Sequence, residues 1–145
     1  MSLITASHHP PLTATPETTV YDACLAMGQH NVGAVAVMQG DQLAGILTER
    51  DVLKKVVAQK KNPENVQLRE VMTSPCQTIS ADLEIEDALA IMVSKTIHHL
   101  AVVDENGKLA GLVSYRTLMS QKVSTLDAEV DHLSAYMGSD GIGGD

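Results

Sequence analysis

A threonine and an aspartate three residues apart carry the clearest chemical signal in the sequence. Thr48 and Asp51 lie in GILTERD, residues 45–51, where a short apolar run precedes the threonine. Threonine is a favourable N-cap, and the first helical turn after it presents unpaired N–H groups and the positive end of the helix dipole. Such a junction suits an anion or a sugar phosphate, and the Asp51 carboxylate could accept hydrogen bonds from a ribose diol. The same spacing also forms a capping box without any ligand, so a binding role and a structural role both fit.

The segment recurs in the second half of the chain as GLVSYRT, residues 111–117, with Thr117 at the position of Asp51. Segments upstream of it recur as well, with an offset of 65 residues before the predicted hairpin turn and 66 after it. The matching pairs are residues 20–23 with 85–88 and residues 35–37 with 100–102. A repeat that survives with a single turn insertion predicts one supersecondary unit used twice.

Composition limits the classes of partner. The 145 residues carry a formal net charge of −8, with no Trp, no Phe and three Tyr. Base stacking on aromatic side chains is therefore not expected, and neither nucleic acid nor an anionic membrane is expected as a partner. No apolar run is long enough to span a bilayer, and nothing at the N-terminus resembles a signal peptide. Cys24 and Cys76 lack CxxC spacing, so we expect reduced thiols and a cytoplasmic location.

In the first copy, His8 and His9 with two following prolines predict an irregular stretch over residues 1–11. Thr19 is the expected N-cap of the first amphipathic helix. The elements expected after the irregular stretch are an edge strand over 12–15, a helix over 20–29, hairpin strands over 34–38 and 43–47, a helix over 49–59 and a polar linker over 60–65. The helix over 49–59 is expected to bury Val52, Leu53, Val56 and Val57.

The second copy predicts the same order of elements, followed by a longer helix over residues 115–137. The elements expected before that helix are a helical turn over 66–72, a strand over 77–80, a helix over 83–95 and hairpin strands over 99–103 and 109–113. Apolar residues of the long helix alternate steps of four and three, as in a heptad repeat. They are Met119, Val123, Leu126, Val130, Leu133 and Met137. Packing on the chain's own domain and a dimer contact explain this spacing equally well.

Catalysis and metal binding find little support among the residues. Adjacent histidines on an extended segment, as at His98 and His99, point to opposite faces and chelate one metal poorly. No HExxH, paired-cysteine spacing or carboxylate cluster is present. Ser114 has no GxSxG setting and no evident base. We therefore expect neither enzymatic activity nor a required metal.

These features together resemble the CBS domain pair, or Bateman module, named after cystathionine β-synthase. The resemblance rests on GILTERD, GLVSYRT, the hairpin AVVDENGKLAGLVS and the linker LREVM, and covers about residues 12–119. It implies an α/β (α+β) fold of two β-α-β-β-α motifs related by a pseudo-twofold axis, plus a C-terminal helix. The expected divisions are residues 1–62 for the first motif with its N-terminal arm, 63–120 for the second, 121–137 for the C-terminal helix and 138–145 for a disordered tail.

The resemblance also implies a function. Members of this family mostly bind AMP, ADP, ATP, NAD(H) or S-adenosylmethionine and regulate an attached or partner protein. Many such pairs form homodimers. The expectation is therefore a regulatory, energy-sensing module that binds an adenine nucleotide and modulates an unknown partner through a ligand-dependent dimer.

Family members bind their ligands in two clefts between the repeats, and the motif residues carry over to this chain. In the first cleft, Asp51 would take the ribose hydroxyls and Thr48 a hydroxyl or a phosphate oxygen. The remaining candidates are main-chain groups near Ile46 and Cys76 and the side chain of Ile97 around the adenine, Thr73 in the facing segment, and Arg50, His98 and His99 on the phosphate side. Many relatives have arginine at the position of His98. Because histidine titrates between about pH 5 and pH 8, binding could depend on pH.

The second cleft is expected to bind more weakly, through Ser114 and Arg116. Thr117 lacks the carboxylate, and the facing segment over residues 31–34 has no cation. A charge-assisted hydrogen-bond pair is worth about 1.5–3 kcal/mol, or roughly tenfold to a hundredfold in affinity. One main site per chain is therefore expected. The alternative hypothesis is a ligand-free oligomerisation module in which Asp51 serves only the helix N-terminus.

Overall fold

The computed structural model describes residues 3–7 and 10–139 and shows a mixed α+β fold built from the predicted repeat. The helices are α1 (Leu3–Ala6), α2 (Val20–His30), α3 (Glu49–Val52), α4 (Leu68–Val71), α5 (Ile85–Lys95) and α6 (Tyr115–Ser139). The strands are β1 (Thr13–Ala14), β2 (Ala34–Gln39), β3 (Gln42–Thr48), β4 (Thr78–Ser80), β5 (His99–Val103) and β6 (Leu109–Ser114). A π-helical turn, Leu53–Val57, continues α3, and a 3₁₀ turn, Pro63–Asn65, precedes α4.

Each repeat forms its own three-stranded sheet. In both sheets the first strand pairs in parallel with the second, and the second and third form an antiparallel hairpin. The crossover between the parallel strands is α2 in the first repeat and α5 in the second, because parallel strands require a long connection. Thr19 caps α2 by accepting a hydrogen bond from the Asp22 N–H at 3.2 Å, as predicted.

Each repeat completes its core with a helix that lies outside it in the sequence. Leu68 and Val71 of α4 are fully buried in the core of the first repeat. Leu3 and Ala6 of α1 are buried in the core of the second repeat. The prediction that residues 1–11 are irregular is therefore wrong for α1, because burial of Leu3 stabilises a helix too short to form alone. His8 and His9 lie outside the described residues.

The repeats face each other through small side chains. Ala34, Ala36 and Ile46 of the first repeat form one buried cluster with Ala101 and Leu112 of the second. Alanine at the centre of this cluster lets the two sheets approach closely. Residues of this cluster also line the two clefts between the repeats, Ile46 the first and Ala34 and Leu112 the second.

The helix that follows β3 departs from its predicted burial. Val56 is fully buried, but Leu53 and Val57 are 61% and 62% exposed. The Ala58 N–H donates to the Leu53 carbonyl at 2.9 Å, five residues back. This wider π turn shifts the helical phase, so the 3.6-residue period that predicted burial of Leu53 and Val57 does not hold here.

The C-terminal helix α6 is anchored only at its beginning. Leu118 is fully buried in the second core, whereas every residue from Val123 to Ala135 is exposed. The explanation that the heptad residues pack on their own domain is therefore wrong for Val123, Leu126, Val130 and Leu133. The helix extends to Ser139, into the start of the predicted tail, and the rest of that tail, residues 140–145, lies outside the described residues. None of the described helices combines the length and apolarity needed to cross a membrane.

Candidate functional site

The first cleft lies between the motif of the first repeat and two segments of the second. Its volume is about 840 Å³, within the range of small-molecule sites, which is about 300–1,000 Å³. Most of the predicted site residues line it together. They are Ile46, Thr48, Arg50, Asp51, Thr73, Ile97, His98 and His99.

The glycine that opens the motif allows the two repeats to meet at this cleft. Ile46 and Thr73 exchange backbone hydrogen bonds at 3.1 and 2.9 Å, which joins the segment after α4 to the edge of β3. A Cβ atom at Gly45 would lie 2.7 Å from the Thr73 carbonyl oxygen. Only glycine leaves room for this crossing, and the crossing holds Thr73 beside Asp51.

Asp51 is buried and already accepts several hydrogen bonds. Its Oδ2 accepts from the Thr48 backbone N–H at 3.0 Å, and the Thr48 hydroxyl accepts from the Asp51 N–H at 3.2 Å, so the capping box is formed. The Thr73 hydroxyl donates to Oδ1 at 3.1 Å, and Lys55 Nζ forms an ion pair with Oδ1 at 3.0 Å. The carboxylate therefore connects the helix N-terminus, the second repeat and a lysine.

The first cleft is lined by several cations although the chain is acidic overall. Arg50 was predicted, but the lysines at positions 54, 55 and 95 were missed by the sequence reasoning. Lys55 lies four residues after Asp51, which is the spacing of a helical ion pair and could have indicated it. Lys95 ends α5, three residues before His98. The lining has four cationic side chains and two carboxylates, those of Glu49 and Asp51, so this cleft suits an anionic group.

The two adjacent histidines differ in their surroundings. His98 is exposed, with its Nδ1 3.4 Å from Arg50 Nη2 and its ring edge-to-face with Tyr115 at 5.9 Å between centroids. His99 is half-buried, and its Nε2 would lie 3.2 Å from a Cβ atom at Gly33. Both histidines line the second cleft as well as the first.

Cys76 itself does not line the first cleft, but its sequence neighbours Pro75 and Gln77 do, as predicted for main-chain groups near Cys76. Its side chain is half-buried against the central cluster between the sheets. Burial raises the pKa of the Cys76 thiol, with a partly opposing backbone hydrogen bond. Cys24 likewise packs against the first core, and burial raises the pKa of its thiol.

The second cleft has the same framework with less charge. Its volume is about 590 Å³. Ser114 caps α6 by accepting from the Thr117 N–H at 3.1 Å and donates to the Thr117 hydroxyl at 2.9 Å. Arg116 also lines the cleft, so both predicted residues of the weaker site are present. Within the described residues, no group of three or more His, Cys, Asp or Glu side chains could hold a metal ion.

Comparison with known proteins decides the family. The sequence profile of the CBS domain matches residues 4–58 and 68–124. The chain belongs to the CBS domain family. It is 34% identical over 131 residues to the CBS domain-containing protein CBSX3, mitochondrial, of Arabidopsis thaliana, covering 87% of this chain and 63% of that protein. The chain thus spans less than two thirds of that relative's length.

Solved structures of CBS-domain proteins share the fold. A CBS-domain structure from Burkholderia ambifaria superposes with a TM-score of 0.78 and 31% identity, covering 86% of this chain and 95% of its own. A CBS domain protein from Pyrobaculum aerophilum, complexed with AMP, superposes with a TM-score of 0.73 and 22% identity, covering 81% of this chain and 89% of its own. CBS pairs are generally regulatory, nucleotide-binding modules.

Proposed function

We propose that this CBS pair is a non-enzymatic cytoplasmic sensor that binds AMP or another adenosine-containing ligand in the first cleft. The bound state would modulate a partner protein through a ligand-dependent homodimer. The observation that carries the proposal is the convergence of Thr48, Asp51 and Thr73 with cations from both repeats in one cleft of about 840 Å³. The AMP complex of the Pyrobaculum protein supports a ligand of this class.

The ribose would bind at Asp51 by exchange rather than by simple addition. An ionised carboxylate offers about four lone-pair sites, and those of Asp51 are in use by Thr48, Thr73 and Lys55. A ribose diol would replace the Thr73 hydroxyl and the Lys55 ammonium. Because Lys55 Nζ also lies 3.0 Å from the Val71 carbonyl oxygen, the released lysine stays at the cleft and could turn toward a phosphate.

The phosphate end would meet Arg50, Lys54, Lys95 and His98. These side chains come from α3 and its continuation, from the end of α5 and from the start of β5. A phosphate that contacts them would connect both repeats. Ligand binding would therefore stabilise the relative position of the two sheets.

The test is calorimetric titration of the full chain with AMP, ATP, NADH and S-adenosylmethionine, alongside Asp51→Ala and Asp51→Asn. We expect micromolar binding of one ligand, weakened about tenfold to a hundredfold in Asp51→Ala, because the ribose loses a charged acceptor. Thr117→Ala, the equivalent change in the second repeat, is the matched control and should leave this affinity unchanged. Unaltered affinity in both Asp51 variants, with melting curves that show folded protein, would disprove the assigned site.

A ligand-free oligomerisation module is the second candidate function. The observation that favours it is that the Asp51 carboxylate already contacts Thr48, Thr73 and Lys55 of its own chain, as a residue with a purely structural capping role would. In that case none of the four ligands would release heat, although the protein is folded and ligand-free at the start. Binding of any of them at the first cleft would reject this alternative.

A further inference from the structure

Beyond its first two turns, α6 carries an apolar stripe that nothing in the described chain covers. Val123, Leu126, Val130 and Leu133 are 50%, 46%, 58% and 57% exposed. They are spaced three and four residues apart, so they lie on one face of the helix. Small or polar residues occupy the opposite face, including the alanines at positions 128 and 135. The stripe extends over more than two helical turns along one face, so it fits another helix rather than a small molecule.

The residue types along the stripe specify the partner helix. In heptad notation, valine occupies the two a positions, 123 and 130, and leucine the two d positions, 126 and 133. A β-branched residue at a with leucine at d favours two parallel strands over higher oligomers. A second copy of the same helix satisfies this requirement with no other partner.

Charges beside the stripe agree with a parallel arrangement in register. Lys122 occupies a g position and Asp127 the following e position. In a parallel pair, g of one helix faces the following e of the other, so Lys122 would meet Asp127 of the second copy on both sides. Lys122 reaches Glu86 of its own chain at 2.8 Å but keeps partial exposure, so it can face both carboxylates.

We infer that α6 forms a parallel, two-stranded coiled coil with α6 of a second copy through Val123, Leu126, Val130 and Leu133. Both CBS pairs then lie at the same end of the coiled coil. The groove that the second copy would cover begins at Tyr115 and Arg116, and these two residues also line the second cleft. The inference deepens the dimer of the proposed function but does not require nucleotide binding, so its failure would leave the calorimetric result unchanged.

The first test is the mass of the full chain by sedimentation equilibrium from about 1 to 200 μM. We expect a dimer, and a shift to the 15.4 kDa monomer in Leu126→Asp with Leu133→Asp. The matched control is Ala128→Asp with Ala135→Asp, which adds the same charges at the same spacing to the opposite face and should stay dimeric. A milder pair, Leu126→Ala with Leu133→Ala, should weaken the dimer at least tenfold. A monomeric native chain, or a dimer that resists the stripe variants, would overturn the inference.

The second test is the direction of the helices. In a chain with Cys24 and Cys76 replaced by serine, Leu126→Cys and Leu133→Cys are introduced one at a time and oxidised. A parallel pair in register brings each position next to itself, so both variants should form a disulfide between copies. In an antiparallel pair, two positions seven residues apart cannot both lie at the symmetry centre. Crosslinking of one variant alone, or of neither, would reject the parallel arrangement.

Discussion

The two clefts of this chain share a framework but differ in their chemistry. In both repeats a hydroxyl caps the helix that follows the hairpin: Thr48 accepts from the Asp51 N–H, and Ser114 accepts from the Thr117 N–H. The C-cap residue of the crossover helix is left-handed in both repeats, with φ of 55° at Asn31 after α2 and 54° at Thr96 after α5. The backbone that shapes a cleft has thus been kept in both repeats.

The side chains that would hold a ligand have diverged. The first cleft has the buried Asp51, whereas the second has Thr117 at the equivalent position and is also lined by Gly33 and Ala34; His98 and His99 line both clefts. Gly33 lies so close to Glu49 and His99 that a Cβ atom would come within 3.2 Å of each. The comparison shows that helix capping and core packing are kept in both repeats, while the buried carboxylate is present in only one of the two clefts.

The cores of the two repeats should lose similar stability when the equivalent leucines are truncated, by Leu3→Ala and by Leu68→Ala. Both leucines are fully buried at equivalent positions of α1 and α4, so each change should lower the free energy of unfolding by about 2–5 kcal/mol. Urea denaturation measures the loss, and Leu53→Ala, which truncates an exposed leucine, should stay within about 0.5 kcal/mol of the native value. A large loss in only one of the two variants would show that the repeats do not share one packing scheme.

The chemical difference between the clefts should be reversible by Thr117→Asp. The new carboxylate would accept from the Ser114 cap and provide the missing charged acceptor. Affinity at the second cleft should rise by about tenfold to a hundredfold, because the charged hydrogen bonds to the new carboxylate contribute about 1.5–3 kcal/mol. Calorimetry would then detect a second binding event per chain, and Thr117→Asn, which adds no charge, should not. An unchanged stoichiometry would mean that Asp51 alone does not explain the difference.

The contribution of the lysines to the first cleft should be smaller. Lys54→Ala and Lys95→Ala remove exposed charges worth about 0.5–1 kcal/mol each, or roughly twofold to fivefold in affinity. ATP binding should weaken more than adenosine binding, and the difference should shrink at high salt. Lys61→Ala, in the linker outside the cleft, is the control. Equal weakening of adenosine and ATP would indicate lost packing instead of lost charge.

The smallest expected effect concerns an ion pair present only in the second repeat. A hydrogen bond from Lys122 lowers the pKa of Glu86, and the equivalent residue of the first repeat is Tyr21. The stabilisation from this pair is complete above the pKa that the glutamate has in the unfolded chain. It is lost as the pH falls through the lower pKa of the folded state. NMR titration of Lys122→Ala should show the Glu86 pKa rising toward its usual range, whereas Lys108→Ala should leave it unchanged.

Much of the fold was predictable because its signals are local or repeated. The offset of 65 residues, which becomes 66 after the hairpin turn, aligned the strands, the amphipathic helices and both hairpins, and Thr19, Thr48 and Ser114 are caps that act within one helical turn. The same offset relates Leu3 to Leu68 and could have indicated α1. The adjacent His8–Pro11 stretch, read as helix-breaking, concealed it. The CBS resemblance predicted most of the residues that line the first cleft.

The sequence by itself determined the repeat, the caps, the hairpins and the loss of the carboxylate at Thr117, because each depends on neighbours along the chain. Only the tertiary structure decided which core each short helix completes, since Leu3 and Leu68 gain stability from residues far away in sequence. It also decided that Lys54, Lys55 and Lys95 meet in one cleft. A π turn and the end of α5 bring them together, and no pattern in the sequence specifies that convergence.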